Sequence, residues 1–179
     1  MRLNVQPSST MFRYTGSRGS HLSFIGERGC RDWARLMRLT RLRWPDIPTS
    51  GRIASDGRQL GSIPERAFYE TIIAVQPGDI TIDLEQPLDE RQPDGFRSDL
   101  GIRYRDRITH VEIVGACGSD EVTRNAAERH MLGRFHRRLE LYHILGIEPV
   151  VLYLDILVDP SAMRERFHAI VAALRAQAP

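Results

Sequence analysis

The sequence predicts an α/β protein: an α/β/α sandwich around a central mixed sheet of about four strands. Three observations carry this. Ile80-Thr81-Ile82-Asp83-Leu84 alternates apolar and polar residues, as a half-buried strand does. Two more strand patterns, about Arg97–Arg103 and Ile108–Val114, flank a charged turn near Tyr104–Arg107 and read as a hairpin. The apolar run Val150-Val151-Leu152-Tyr153-Leu154 lies between two helical patterns and reads as a buried central strand.

The elements follow in order. Residues 1–20 are rich in Ser, Gly and Thr and predict a loop. From about Glu27 to Leu42, Trp33, Leu36, Met37 and Leu39 recur at helical spacing, and Pro45 and Pro48 end the pattern. Thr49 to Gly61 is turn-rich. Ser62-Ile63-Pro64-Glu65 opens a helix running to about Val75, which Pro77-Gly78 breaks. Pro87 to Gly95 is a loop between the first two strands. A long helix spans about Glu121 to Leu145, with Leu132, Phe135, Leu139 and Tyr142 on one face, and Gly146 stops it. Ser161 is the expected cap of a last helix whose core face is Met163, Phe167, Ile170, Val171 and Leu174. Neighbouring early strands predict antiparallel pairing. The helical crossover before the last strand predicts a parallel one.

The chain divides into a basic N-terminal extension with one helix (1–54) and a domain over 55–179. With 179 residues there is room for one sizeable core. The net charge is only +2, so overall electrostatics do not imply a nucleic-acid partner. Its distribution is uneven: arginines crowd residues 1–50, whereas 77–99 is acid-rich. All 25 basic residues are arginine; the sequence has no lysine. No apolar run approaches the roughly 20 residues of a membrane helix, and Met1–Thr15 has no apolar signal core. Cys30 and Cys117 lie far apart and read as packing residues. A reduced, cytoplasmic protein with no membrane partner is expected.

The chemistry concentrates in a few carboxylates. Asp99 and Glu112 fall on adjacent strands of the predicted hairpin, where same-face side chains meet. Glu112 interrupts the apolar stretch His110-Val111-Glu112-Ile113-Val114, a costly position unless it is paired or binds metal. Two converging carboxylates repel, and a divalent cation between them removes that cost. Simpler readings stand beside this one. Ser62-x-x-Glu65 is a capping box. Asp99 can pair with Arg97 or Arg103, and Glu112 with a cross-strand arginine. The six histidines show no zinc spacing, although His110 shares a strand face with Glu112. Trp33, Trp44 and Tyr104 read as packing residues. P-loop, GxSxG and GxGxxG signatures are absent.

The segments Ser62-Ile63-Pro64-Glu65-Arg66, Glu85-Gln86-Pro87, Ser98-Asp99 and Val111-Glu112-Ile113-Val114-Gly115, in this order and spacing, resemble the PD-(D/E)XK, restriction-endonuclease-like nucleases. Within that superfamily the chain is most similar to the TnsA-like transposon endonucleases and the Vsr-like group, over roughly residues 55–156. The resemblance implies a restriction-endonuclease-like fold and a Mg²⁺-dependent DNA endonuclease, with Mn²⁺ as substitute. It implies a setting in a mobile element or a restriction or repair system, with DNA as partner and a second protein or a homodimer as further options. It assigns Glu65, Asp99 and Glu112 as metal ligands and makes Gln86-Pro87 a structural signature.

The chain departs from that family at one place. Val114 stands where the family carries its lysine, two residues after Glu112. Some members carry the basic residue on the following helix, which here holds Arg134, Arg137 and Arg138. At 100° per residue, Arg138 borders the apolar face, Arg134 lies further round and Arg137 points away. Arg138 is therefore the expected catalytic cation. It can stabilise phosphate charge but, because a guanidinium holds its proton too tightly, is a poor general base. The missing lysine motivates an alternative, a catalytically lapsed nuclease-fold module that binds DNA or protein. A protein-interaction domain unrelated to nucleic acid is a third reading. The arginine-rich segment before residue 50 either contacts phosphate backbone or packs as an ordinary amphipathic helix.

Overall fold

The computed structural model describes residues 51–89 and 95–177. The expected N-terminal helix, Trp33, Trp44 and Cys30 lie outside the described residues.

Helix α1 (Ile63–Ile73) begins where Ser62 accepts the amide of Glu65 and Pro64 occupies the first turn. Strands β1 (Ile80–Pro87), β2 (Arg97–Tyr104) and β3 (Arg107–Val114) follow. They pair as an antiparallel meander, with Ile82 opposite Ile102 and Ile102 opposite Thr109. Helix α2 (Ala126–Ile144) crosses to β4 (Val150–Tyr153), which lies parallel to β3. The short α3 (Leu154–Leu157) leads into α4 (Pro160–Ala176). The result is one open mixed sheet in the order β1-β2-β3-β4 with helices against it. The α/β class, the antiparallel hairpins and the parallel last strand agree with the sequence reading.

The alternation of strand side chains divides the core in two. On one face, Ile82, Leu100, Ile102, Val111, Ile113 and Leu152 pack with Phe68 and Ile72 of α1 and with Met163, Phe167, Ile170, Val171 and Leu174 of α4. On the other, Val114 with Ala116 and Cys117 packs under Phe135 of α2, joined by Leu132, Leu139, Val151 and Tyr153. Burying such side chains contributes about 1.5–3 kcal/mol each. A bridge between Ile53 and Gln59 closes the turn-rich stretch before α1. Ser55 donates its amide and hydroxyl to Glu70, both at 2.7 Å, and Tyr69 donates to Asp56 at 2.6 Å. Ala54 thereby reaches the main core.

Three expectations are corrected. The long helix starts at Ala126 rather than near Glu121, because Asn125 caps the amide of Glu128 and Glu121 holds a left-handed backbone (φ 54°). Asp159, not Ser161, caps the last helix: its carboxylate accepts the amide of Ser161, and Pro160 takes the first helical position. The apolar run from Val150 lies at the edge of the described sheet, not its centre. It is apolar because helices cover both faces of β4, and Leu154 already belongs to α3. No helix among the described residues is long and apolar enough to cross a membrane.

Candidate metal centre

Continuing the β2–β3 register beyond Leu100 opposite Val111 would set Asp99 opposite Glu112. The ladder stops there because the Asp99 carboxylate takes a backbone donor: the amide of Ile113 donates to Oδ2 at 2.7 Å. Both acidic side chains lie on the sheet face covered by α2. Glu112 is fully buried (0% exposed). Its Oε1 accepts the hydroxyl of Tyr142 on α2 at 2.6 Å. One helical turn earlier, Arg138 sits between the two acids, with Nη2 2.6 Å from Glu112 Oε2 and Nη1 3.5 Å from Asp99 Oδ1.

The contact to Glu112 Oε2 is close but poorly aligned. The oxygen is sealed from solvent yet accepts no hydrogen bond from any donor, Arg138 included. The interaction is therefore an ion pair without hydrogen-bond directionality. Such an orphaned carboxylate oxygen is where a hard cation would gain most.

Glu65 approaches from the N-terminus of α1. Its amide is capped by Ser62, while its own Oε2 accepts the amide of Gly61 at 2.8 Å. The reciprocal half of a capping box is thus redirected by one residue. A close approach of Pro64 to β3 positions the helix end: a Cβ on Gly115 would sit 2.7 Å from Pro64 Cγ, so only glycine fits.

Electrostatics tie the three acids together. Burial, then the negative charge of Asp99, pushes Glu112 from its usual 4.5 to about 7. Burial, then Asp99, raises Glu65. Burial raises Asp99, against the opposing pull of Arg138 and the Ile113 amide. Glu85, facing Asp99 across β1 and β2 with a left-handed backbone (φ 50°), raises it further. Burial and the adjacent Glu112 carboxylate push the Tyr142 hydroxyl up, so it remains a donor. Nearby, His110 Nδ1 lies 3.0 Å from Ser98 Oγ, and burial lowers its proton affinity.

Glu65, Asp99 and Arg138 border a cleft of about 820 Å³ between the start of α1, the ends of β2 and β3, and α2; Glu112, fully buried, is not part of its lining. Glu65, Asp99, Arg134, Arg137 and Arg138 line it, and Val114 forms part of its wall. The position occupied by Val114 packs with Ala116, Cys117 and Phe135, an environment built for hydrocarbon.

All four predicted site residues therefore meet at one place. Their arrangement is not a ready-made cage: among the described residues, no three His, Cys, Asp or Glu side chains stand close enough to hold a metal ion. The oxygen donors suit Mg²⁺ in kind, and the orphaned Glu112 oxygen fits such an ion, but Arg138 stands between the two strand acids. The expected partners of the acids are also corrected. Asp99 pairs with Arg138 rather than Arg97 or Arg103, because the latter contacts Asp83 at 3.5 Å and the α2 arginine reaches over the sheet. Glu112 likewise pairs with a helix arginine, not a cross-strand one. Arg137, expected to point away, lines the cleft. Tyr142 was legible only as part of an apolar stripe, although its i+4 spacing from Arg138 was a signal. Cys117 is buried, as expected.

Compared with models of known protein families, with curated proteins and with solved structures, the chain matches none.

Proposed function

We propose that the chain is a Mg²⁺-dependent DNA endonuclease of the PD-(D/E)XK, restriction-endonuclease-like type, to which its motifs are similar. One observation carries the reading. The helix carboxylate Glu65 and the strand carboxylate Asp99 border a cleft whose other wall bears three arginines, and a second strand carboxylate, Glu112, is buried next to them and coupled to both by charge. Burying acids this way costs stability, and a structural role does not require it.

Asp99, Glu112 and Glu65 would hold the ion, with Mn²⁺ as substitute. When bound, it supplies Lewis-acid polarisation of a phosphate oxygen and acidifies water. Tyr142 fixes Glu112 by taking Oε1, which leaves Oε2, the oxygen that Arg138 touches. Arg134 and Arg137, both exposed on α2, suit phosphate oxygens. Arg138 would neutralise charge developing on the phosphate. A guanidinium is a donor only, so it takes no proton from water.

Supercoiled plasmid incubated with the protein and Mg²⁺ or Mn²⁺ tests this. Asp99→Asn should lower nicking by about two orders of magnitude or more. Equal nicking by wild type and variant would refute the site.

A second reading is favoured by Val114 in its apolar setting and by Arg138 between the acids. It is a nuclease-fold module that binds DNA or protein without cutting. Salt-dependent DNA binding with no nicking in either metal would select it.

A further inference from the structure

We propose that Arg138 is an internal counter-cation that competes with the divalent metal for Asp99 and Glu112, and that a phosphate group at the cleft mouth releases it. This rests on the metal-site reading above and specifies how that site is loaded.

Each acid has one oxygen already committed. Tyr142 holds Glu112 Oε1, and the Ile113 amide holds Asp99 Oδ2. The oxygens left over are Glu112 Oε2 and Asp99 Oδ1, and these are the two that Arg138 contacts. These are also the oxygens that the two strand acids would offer a metal ion. Guanidinium and metal therefore exclude one another while Arg138 keeps this position.

The geometry favours a releasable contact. Arg138 touches Glu112 Oε2 without making an aligned hydrogen bond, so leaving that oxygen sacrifices charge attraction but no directional bond. The side chain is 32% exposed, enough to reach solvent along its own stem. On the same helix, Arg134 and Arg137 open onto the cleft. No hydrogen bond or ion pair occupies either of them among the described residues. A phosphodiester drawn to them offers Arg138 a planar, bidentate partner in exchange for the acids. Substrate and metal then bind cooperatively, because each favours the arrangement in which Arg138 has left Glu112.

Calcium titration of the metal-free full chain, followed by calorimetry, tests this without catalysis. Arg138→Gln should bind Ca²⁺ roughly tenfold more tightly than wild type, and Asp99→Asn should abolish that binding. A short duplex oligonucleotide should tighten Ca²⁺ binding to wild type by a similar factor and leave Arg138→Gln nearly unchanged. The wild-type arm needs no variant, so it decides the matter even where Arg138→Gln fails to fold. Asp99-dependent Ca²⁺ binding that neither the substitution nor the duplex strengthens would overturn the competition and leave the metal site standing. Absence of Asp99-dependent binding under every condition would overturn the metal site and the competition together.

Discussion

Replacing Glu112 by glutamine should stabilise the metal-free protein above neutral pH. Glu112 is sealed from solvent, and burial together with Asp99 lifts it from 4.5 to about 7. The sign follows from proton linkage. A carboxyl whose folded-state value exceeds its unfolded value binds its proton more tightly in the native state. Its contribution is full below about pH 4.5, declines as pH rises toward 7, and is a standing cost above that. At about 1.4 kcal/mol per pH unit the cost reaches roughly 3 kcal/mol. Glutamine removes the charge and keeps an oxygen for the Tyr142 hydroxyl. The attraction of Arg138 is already contained in the value of about 7; the glutamine NH2 would instead meet Arg138 where Oε2 stood, which offsets part of the gain. The net expectation is about 2 kcal/mol, a rise in melting temperature of roughly 4–8 °C. Thermal melts of both proteins between about pH 5 and 8.5 in chelator measure it. Wild type should lose stability across that window and the variant should lose less. Excess Mg²⁺ should stabilise wild type only. A variant that melts at or below wild type near pH 8, beside a wild-type profile flat from about pH 5 to 7.5, would refute the burial argument.

Two further outcomes follow from the same geometry. Tyr142→Phe should cost about 1–3 kcal/mol by stranding Glu112 Oε1; it should also move any pH profile of metal binding upward, because Glu112 loses a donor that lowers its proton affinity. Gly115→Ala forces a Cβ to within 2.7 Å of Pro64 Cγ, so about 1–3 kcal/mol of stability should be lost; because α1 is displaced with Pro64, nicking should fall more than in an equally destabilised variant of the α4 face.

The sequence carried the architecture because periodicity is local. Alternation at Ile80–Leu84, the hairpin around Tyr104–Arg107 and the stripe Met163–Leu174 each report burial by spacing alone, and each appears in the structure. Boundaries were less legible. Asp159 took the cap expected of Ser161, and Asn125 set the start of α2 later than expected, because capping depends on which side chain meets a free amide. The edge position of β4 was hidden because a strand covered on both faces has the same composition at the edge as at the centre.

The candidate site divides in the same way. Asp99 and Glu112 were legible as acids on neighbouring strands, and Glu65 as a residue in the first turn of a helix. Their types and spacing, with the absence of lysine, are properties of the sequence itself. What only the tertiary structure decided is which oxygens are free. Tyr142 lies thirty residues from Glu112, and Arg138 reaches Asp99 from another layer. No spacing rule links positions that meet only when α2 folds over the sheet. Helix packing, not sequence order, therefore set which cation now rests against the buried acids, because Coulomb attraction acts on distance in space.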